Sequence, residues 1–255
     1  MYRWSPHPQK RWVESQELRE TSQWSTTGIA QQVGDRWPDY WFGAVNAWLV
    51  FLGPSPGNSP DPKQGDVVWE LPTIGEPSVN FAEYHDTARF RERIRAWTSA
   101  AYSLAEVFPQ SDRRSALGSA LLANVVPSRA GRAKDITDEQ LRDRMGRVLD
   151  IFEEVVQPGL VVTLEKRVSR ILRKEYMRRG SRVVGSGVTV VPAKNQPFPS
   201  YKPHWYNLQT VRGHVLIAES PQHPSHPNFF DMEEVESYLA AMVRMALDTR
   251  AQTSA

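Results

Sequence analysis

The feature that most constrains this chain is the stretch 48–57, WLVFLGPSPG, a short apolar run that stops in a Gly-Pro-Ser-Pro-Gly turn. Five consecutive apolar residues ending at Gly53 read as a buried parallel strand, because such strands are covered on both faces and need not alternate. The turn after it is rigid and sterically bare. Pro54 and Pro56 each remove a backbone donor and fix φ, while Gly53 and Gly57 permit close approach or positive φ. Ligands of open α/β sheets sit at the carboxyl ends of strands, so this turn is expected to floor a site. The plainer reading is a tight connection and nothing more.

A length of 255 residues suits one α/β domain with a sizeable core. We expect an N-terminal extension over 1–36, a single domain over 37–250 and a tail over 251–255. The absence of cysteine excludes disulfides, thiolate zinc sites and Cys-ligated iron–sulfur clusters, and it fits a reducing compartment. No apolar run approaches the roughly 20 residues of a membrane span, and the opening MYRWSPHPQKRW lacks a signal-peptide core, so a cytoplasmic protein with no membrane partner is expected. A net charge of +2 is mild, so affinity for nucleic acid would have to come from clustered charge.

Along the chain, 1–36 is polar and punctuated by Trp4, Trp12 and Trp24, and 39–46 resembles a short helix leading into the first strand. The stretch 58–78 is rich in proline and glycine and reads as a long irregular loop, a kind that tends to be functional or disordered. Phe90, Ile94, Trp97, Ala101, Leu104 and Phe108 recur at steps of three and four and predict a helix over 84–108 with an ordinary core-packing face. A second buried strand over 120–126 contains Asn124 and is followed by the loop SRAGRAK. Thr137 with Gln140 predicts a capping box for a helix whose core stripe is Leu141, Met145, Val148, Phe152 and Val155. A third strand is expected at 160–164 and a fourth at 214–218, with a strand or hairpin arm at 183–191. Asp231 with Glu234 is expected to cap a last helix that buries Val235, Leu239, Met242 and Ala246. Alternating strands and helices call for a three-layer α/β/α sandwich around a central, mostly parallel four-stranded sheet.

Two segments concentrate charge and aromatic surface. Residues 166–182 carry eight cations against the single acid Glu175. Such a run is usually a solvated helix face, and a phosphate-tracking surface is the competing reading. Residues 194–207, KNQPFPSYKPHWYN, mix cations including Lys202 with four aromatics. They read as a loop that either stacks on bases or buries its own rings.

Three strand ends carry special residues: the turn 53–57, Asn124 with its loop, and HPSHPN at 223–228. In a parallel sheet these ends share one edge, so they are expected to converge on one pocket. The ordered set GPSPG, LLANVVPSR and LIAESPQHPSHPN, with VVTLEKRVSRIL before the last, resembles the uracil-DNA glycosylase superfamily over roughly 45–245. The resemblance implies a DNA glycosylase that flips a base out of DNA and hydrolyses its N-glycosidic bond, without metal or cofactor.

By the same resemblance Asn124 would hydrogen-bond the flipped base and His223 would stabilise charge on the departing base. Gly53, Pro54, Pro56 and Gly57 would wall the base pocket. Ser225, Asn228, Arg129, Arg132 and Lys202 would hold DNA, with His226 or Phe229 wedging into the gap. The turn departs from the family pattern, which has Asp or Asn where Ser55 stands or Glu where Pro54 stands. A serine hydroxyl can orient a water, but its pKa is far too high for a general base near neutral pH. A carboxylate from the long loop, with Asp61, Asp66 and Glu70 the nearest, could substitute. Uracil specificity is correspondingly open, and a hypermodified cytosine of phage DNA, as removed by antiviral glycosylases resembling this superfamily, is the favoured alternative substrate. The competing classes are a non-catalytic nucleic-acid-binding module and a hydrolase that holds a metal through His204, His214, His223 and His226. Neither HExxH nor HxH is present to support the metal reading.

Overall fold

A computed structural model describes residues 2–4, 12–14, 42–43, 47–55, 89–104, 120–126, 135–192, 200–222 and 232–253. The chain divides into two compact units, the first formed by Met1–His85 and Gly118–Gln157, the second by Asp86–Leu117 and Pro158–Ala255.

In the first unit, β1 (Tyr2–Trp4) and β2 (Trp12–Glu14) form an antiparallel ladder with Tyr2 opposite Glu14. Strand β5 (Ala120–Asn124) pairs antiparallel with β3 (Phe42–Gly43) and parallel with β4 (Leu49–Gly53). Every residue of β4 and β5 is buried, as a strand covered on both faces requires. Burial of side chains the size of Phe51 or Leu52 contributes roughly 1.5–3 kcal/mol each. The expected short helix at 39–46 is corrected at Phe42–Gly43, which is a strand; two residues are too few to show a period.

Helix α2 (Asp138–Ile151) starts as its sequence dictates. Thr137 Oγ1 accepts from the Gln140 N–H at 3.1 Å, and Gln140 Oε1 accepts from the Thr137 N–H at 2.8 Å. Asp138 and Glu139 add negative charge at the positive end of the helix dipole. All five expected stripe residues are buried. The helix then widens into a π turn at Phe152–Val156, where the Gln157 N–H donates to the Phe152 carbonyl at 2.7 Å, and Gln157 closes the end with φ of 49°.

In the second unit, β6 (Leu160–Thr163) runs parallel to β9 (Gly213–Glu219). Strand β9 is antiparallel to β8 (His204–Thr210), which is antiparallel to β7 (Arg182–Val188). The β8–β9 turn uses Gly213 at φ of 124°, and Thr210 Oγ1 braces it by accepting from the Arg212 N–H and donating to the Gly213 carbonyl. Helix α3 (Lys166–Arg178) packs on β6, β7 and β9, while α4 (Met232–Thr253) packs on β6, β9 and α1 (Arg89–Leu104). Ile94, Trp97 and Ala101 of α1 and Val235, Leu239, Met242 and Ala246 of α4 are buried as their spacing predicts. The expected cap Asp231 lies outside the described residues.

The chain is therefore α/β, but the expected number of four strands is corrected. The first unit contributes β3, β4 and β5 and the second β6 to β9, and both mix parallel with antiparallel pairing. The main omission was β8. Its HWYN follows prolines and reads as an aromatic loop, yet it pairs on both sides, because an antiparallel strand needs only one apolar face. Among the described residues no helix is long and apolar enough to cross a membrane.

Candidate functional site

Parallel register carries β4 and β5 to a common end, with Leu49 opposite Ala120 and Gly53 opposite Asn124. The pairing continues past the strands. The Val125 N–H donates to the Gly53 carbonyl at 3.0 Å and the Val126 N–H to the Pro54 carbonyl at 2.9 Å. The proline turn is thus held by its own acceptors, although Pro54 has no donor to give. Gly53, Pro54 and Asn124 are buried and Ser55 is half-buried.

Gly53, Pro54, Ser55 and Asn124 are therefore brought together at one strand edge. The expected site residues Pro56, Gly57, Asp61, Arg129, Arg132, His223, Ser225, His226, Asn228 and Phe229 lie outside the described residues. Lys202 is exposed, one residue past Tyr201, which bridges to Val191.

The second unit has its own polar strand end. Thr163 stands opposite Glu219 in the β6–β9 pairing, and the Ser220 N–H donates to the Thr163 carbonyl at 2.8 Å. Glu219 is 3% exposed, and its Oε2 accepts from the His204 N–H at 3.1 Å. Tyr238 Oη donates to the Glu219 carbonyl at 2.9 Å. Burial, reinforced by the negative charge of Glu219, pushes the Tyr201 phenol up to about 12. The same two causes, in the same order, raise the Tyr238 phenol. Ser220 Oγ donates to the Gln222 carbonyl at 2.7 Å, so a bent, buried Glu-Ser-Pro-Gln segment follows the strand. Sequence reasoning passed over Glu219 and Gln222. The available signal was a carboxylate and an amide directly after the apolar run of β9, where a parallel strand presents its end.

The basic run folds as α3, whose Lys166, Arg170, Lys174 and Arg178 are exposed at every fourth position, while Val168, Ile171, Leu172 and Tyr176 face the core. Residues four apart share a helix face, so these cations form one stripe. Glu175 is occupied by Arg178 and Arg179. The Arg178 hydrogen bond, outweighing the effect of burial, holds the Glu175 carboxyl below its ordinary value. Arg173 instead lies over the Tyr206 ring at 4.2 Å from its centroid, and the His204 ring is stacked with Tyr206 at a centroid separation of 6.2 Å and an interplanar angle of 9°. Arg167 pairs with Glu165.

Among the described residues no three His, Cys, Asp or Glu side chains gather closely enough to hold a metal ion. Set against models of known protein families and against curated proteins, the chain matches none.

Proposed function

We propose that this protein is a DNA glycosylase of the uracil-DNA glycosylase type, with that superfamily's three-layer arrangement, acting on a uracil or a larger modified base. The observation that supports this reading is the in-register pairing of Gly53 with Asn124, which sets a donor-poor, rigid turn beside an amide at the end of two parallel strands. An amide carries the donor and the acceptor that the edge of a flipped base requires, and glycine in the neighbouring turn adds no side chain beside it. Ser55 orients the attacking water without deprotonating it, and His223 carries the charge of the leaving base. Antiviral removal of a hypermodified cytosine fits a turn that lacks the usual acid. The cationic stripe of α3 supports a polyanionic substrate.

The test is to incubate the protein with duplexes carrying uracil, mismatched, deaminated or glucosylated bases and with phage DNAs of differing modification. Alkali-labile abasic sites are expected on at least one substrate and their loss in Asn124→Ala; no product on any of them would remove the reading. A non-catalytic nucleic-acid-binding module is the second reading, favoured by Ser55 in place of an acid and by the exposed stripe. It requires salt-sensitive binding without abasic sites, and a biological effect that survives His223→Ala.

A further inference from the structure

The described residues contain several buried polar atoms without a hydrogen-bond partner, and most are single atoms: Trp48 Nε1, Trp97 Nε1, Ser169 Oγ, Arg173 Nε and Glu165 Oε2. Gln222 is different. Both its Oε1 and its Nε2 are enclosed and unpartnered, on a side chain only 6% exposed. A buried amide with neither partner costs the fold stability on both its donor and its acceptor.

Its backbone is not loose. The Ser220 N–H is tied to Thr163 and the Ser220 hydroxyl to the Gln222 carbonyl, so the segment is pinned where β6 and β9 end. The Ser220 N–H and the Glu219 and Gln222 carbonyls are satisfied while the side-chain amide has no partner, at the end of a parallel pair where ligands of α/β sheets bind. The neighbouring Glu219 carboxylate accepts from the His204 N–H and is not a partner of the amide.

We propose that Gln222 is a base-contacting residue, whose amide pairs with the adjacent donor and acceptor on one edge of a nucleobase held at the end of β9. An amide is suited to that task because it presents a donor and an acceptor side by side, the pattern that also lets glutamine pair bidentately with adenine in DNA. The identity of the ligand as a nucleobase rests on the glycosylase reading; the unpaired amide does not.

The experiment titrates the full chain with free uracil, cytosine, 5-hydroxymethylcytosine, adenine and guanine, comparing wild type with Gln222→Met, which keeps the volume and removes both polar atoms. Wild type is expected to bind at least one base saturably. The variant should bind that base about tenfold more weakly, with a melting temperature equal to or above wild type because the unpaired amide is gone. Binding of no base by wild type, or equal binding by both proteins, overturns the proposal. Should the methionine variant not fold, Gln222→Asn keeps the amide at shorter reach. It should weaken the same base without changing which base is preferred, and unchanged affinity overturns the proposal. Base binding without abasic sites on any duplex removes the glycosylase reading and leaves Gln222 in place. Undiminished base excision by Gln222→Met does the reverse.

Discussion

Strands β5 and β7 are both built largely from small and aliphatic residues, ALLAN and RVVGSGV, yet one is wholly buried and the other has no buried residue at all. Val184 and Val188 of β7 are 51% and 50% exposed, whereas Leu121 of β5 is 0% exposed. The contrast shows that apolar content does not report burial; the number of covered faces and partners does. Strand β5 has a neighbour on each side, while among the described residues β7 pairs with β8 alone. A buried parallel strand end can hold a shape against a ligand, and an exposed antiparallel arm is held by its pairing with β8 and by α3 packed against it.

The largest expected effect comes from cutting into the covered pair. Phe51 is 1% exposed, so Phe51→Ala should cost about 3–5 kcal/mol by urea unfolding, the sum of lost transfer energy and a cavity that close packing does not refill. Val184→Thr on the exposed arm should stay within about 0.5 kcal/mol. Similar losses at both positions would erase the distinction and mean that β7 is covered in solution.

The arm has one position where the difference should shrink. A Cβ added to Gly187 would come within 2.5 Å of the Trp205 ring, whereas at Gly185 the nearest atom is Asn207 Cβ at 3.7 Å. Gly187→Ala should therefore displace the indole and cost about 1–3 kcal/mol, as overpacking does. Gly185→Ala should be neutral or slightly stabilising, because alanine restricts the unfolded chain. Near-ultraviolet circular dichroism of the tryptophans should change only for Gly187→Ala.

How much of this was legible in the sequence depends on how each element is stabilised. Strand β4, strand β5, the Thr137 cap and the stripes of α2 and α4 were readable because local pattern and burial agree there. The Gly53–Asn124 end followed from the strand reading. Strand β8 was missed because its aromatics and His204 carry no strict alternation and prolines precede it; its strand state comes from partners distant in sequence. Gln222 was missed for a related reason: a glutamine after a proline looks like ordinary loop, and only burial reveals an amide without a partner.

The stripe on α3 extends the comparison from stability to binding. If the outward face engages DNA through phosphates, Lys166→Gln combined with Lys174→Gln should lower the slope of log K against log salt by about two, near 0.9 per lost phosphate contact. Melting temperature should barely move, because both side chains are exposed. An unchanged slope would assign the stripe to a solvated helix face. The same pair of changes should leave the preference among bases untouched, since phosphate contacts position DNA without reading it.

The smallest expected effect is a pH dependence that only the second unit's strand end can supply. Strands β4 and β5 contain no titratable side chain, whereas β9 ends at Glu219 beside Tyr201. Burial first and the Glu219 charge second raise the Tyr201 phenol from its ordinary value of 10.0 to about 12. The folded state therefore keeps a proton that the unfolded chain releases between those values. By linkage the stability contributed by the neutral phenol is fully present below pH 10 and declines as pH rises through 12. Tyr201→Phe removes that titration and should flatten part of the alkaline fall in melting temperature, while leaving the curve below pH 10 parallel to wild type. The flattening is only partial because Tyr238, raised by burial and by the same carboxylate, still titrates in the same direction. Glu219→Gln should lower both phenols toward their ordinary value and so reduce the alkaline loss without moving its onset, since burial rather than charge is the larger cause and remains. An alkaline limb identical in wild type and Tyr201→Phe would mean that the phenol is open to solvent and that the end of β9 is no drier than the exposed arm.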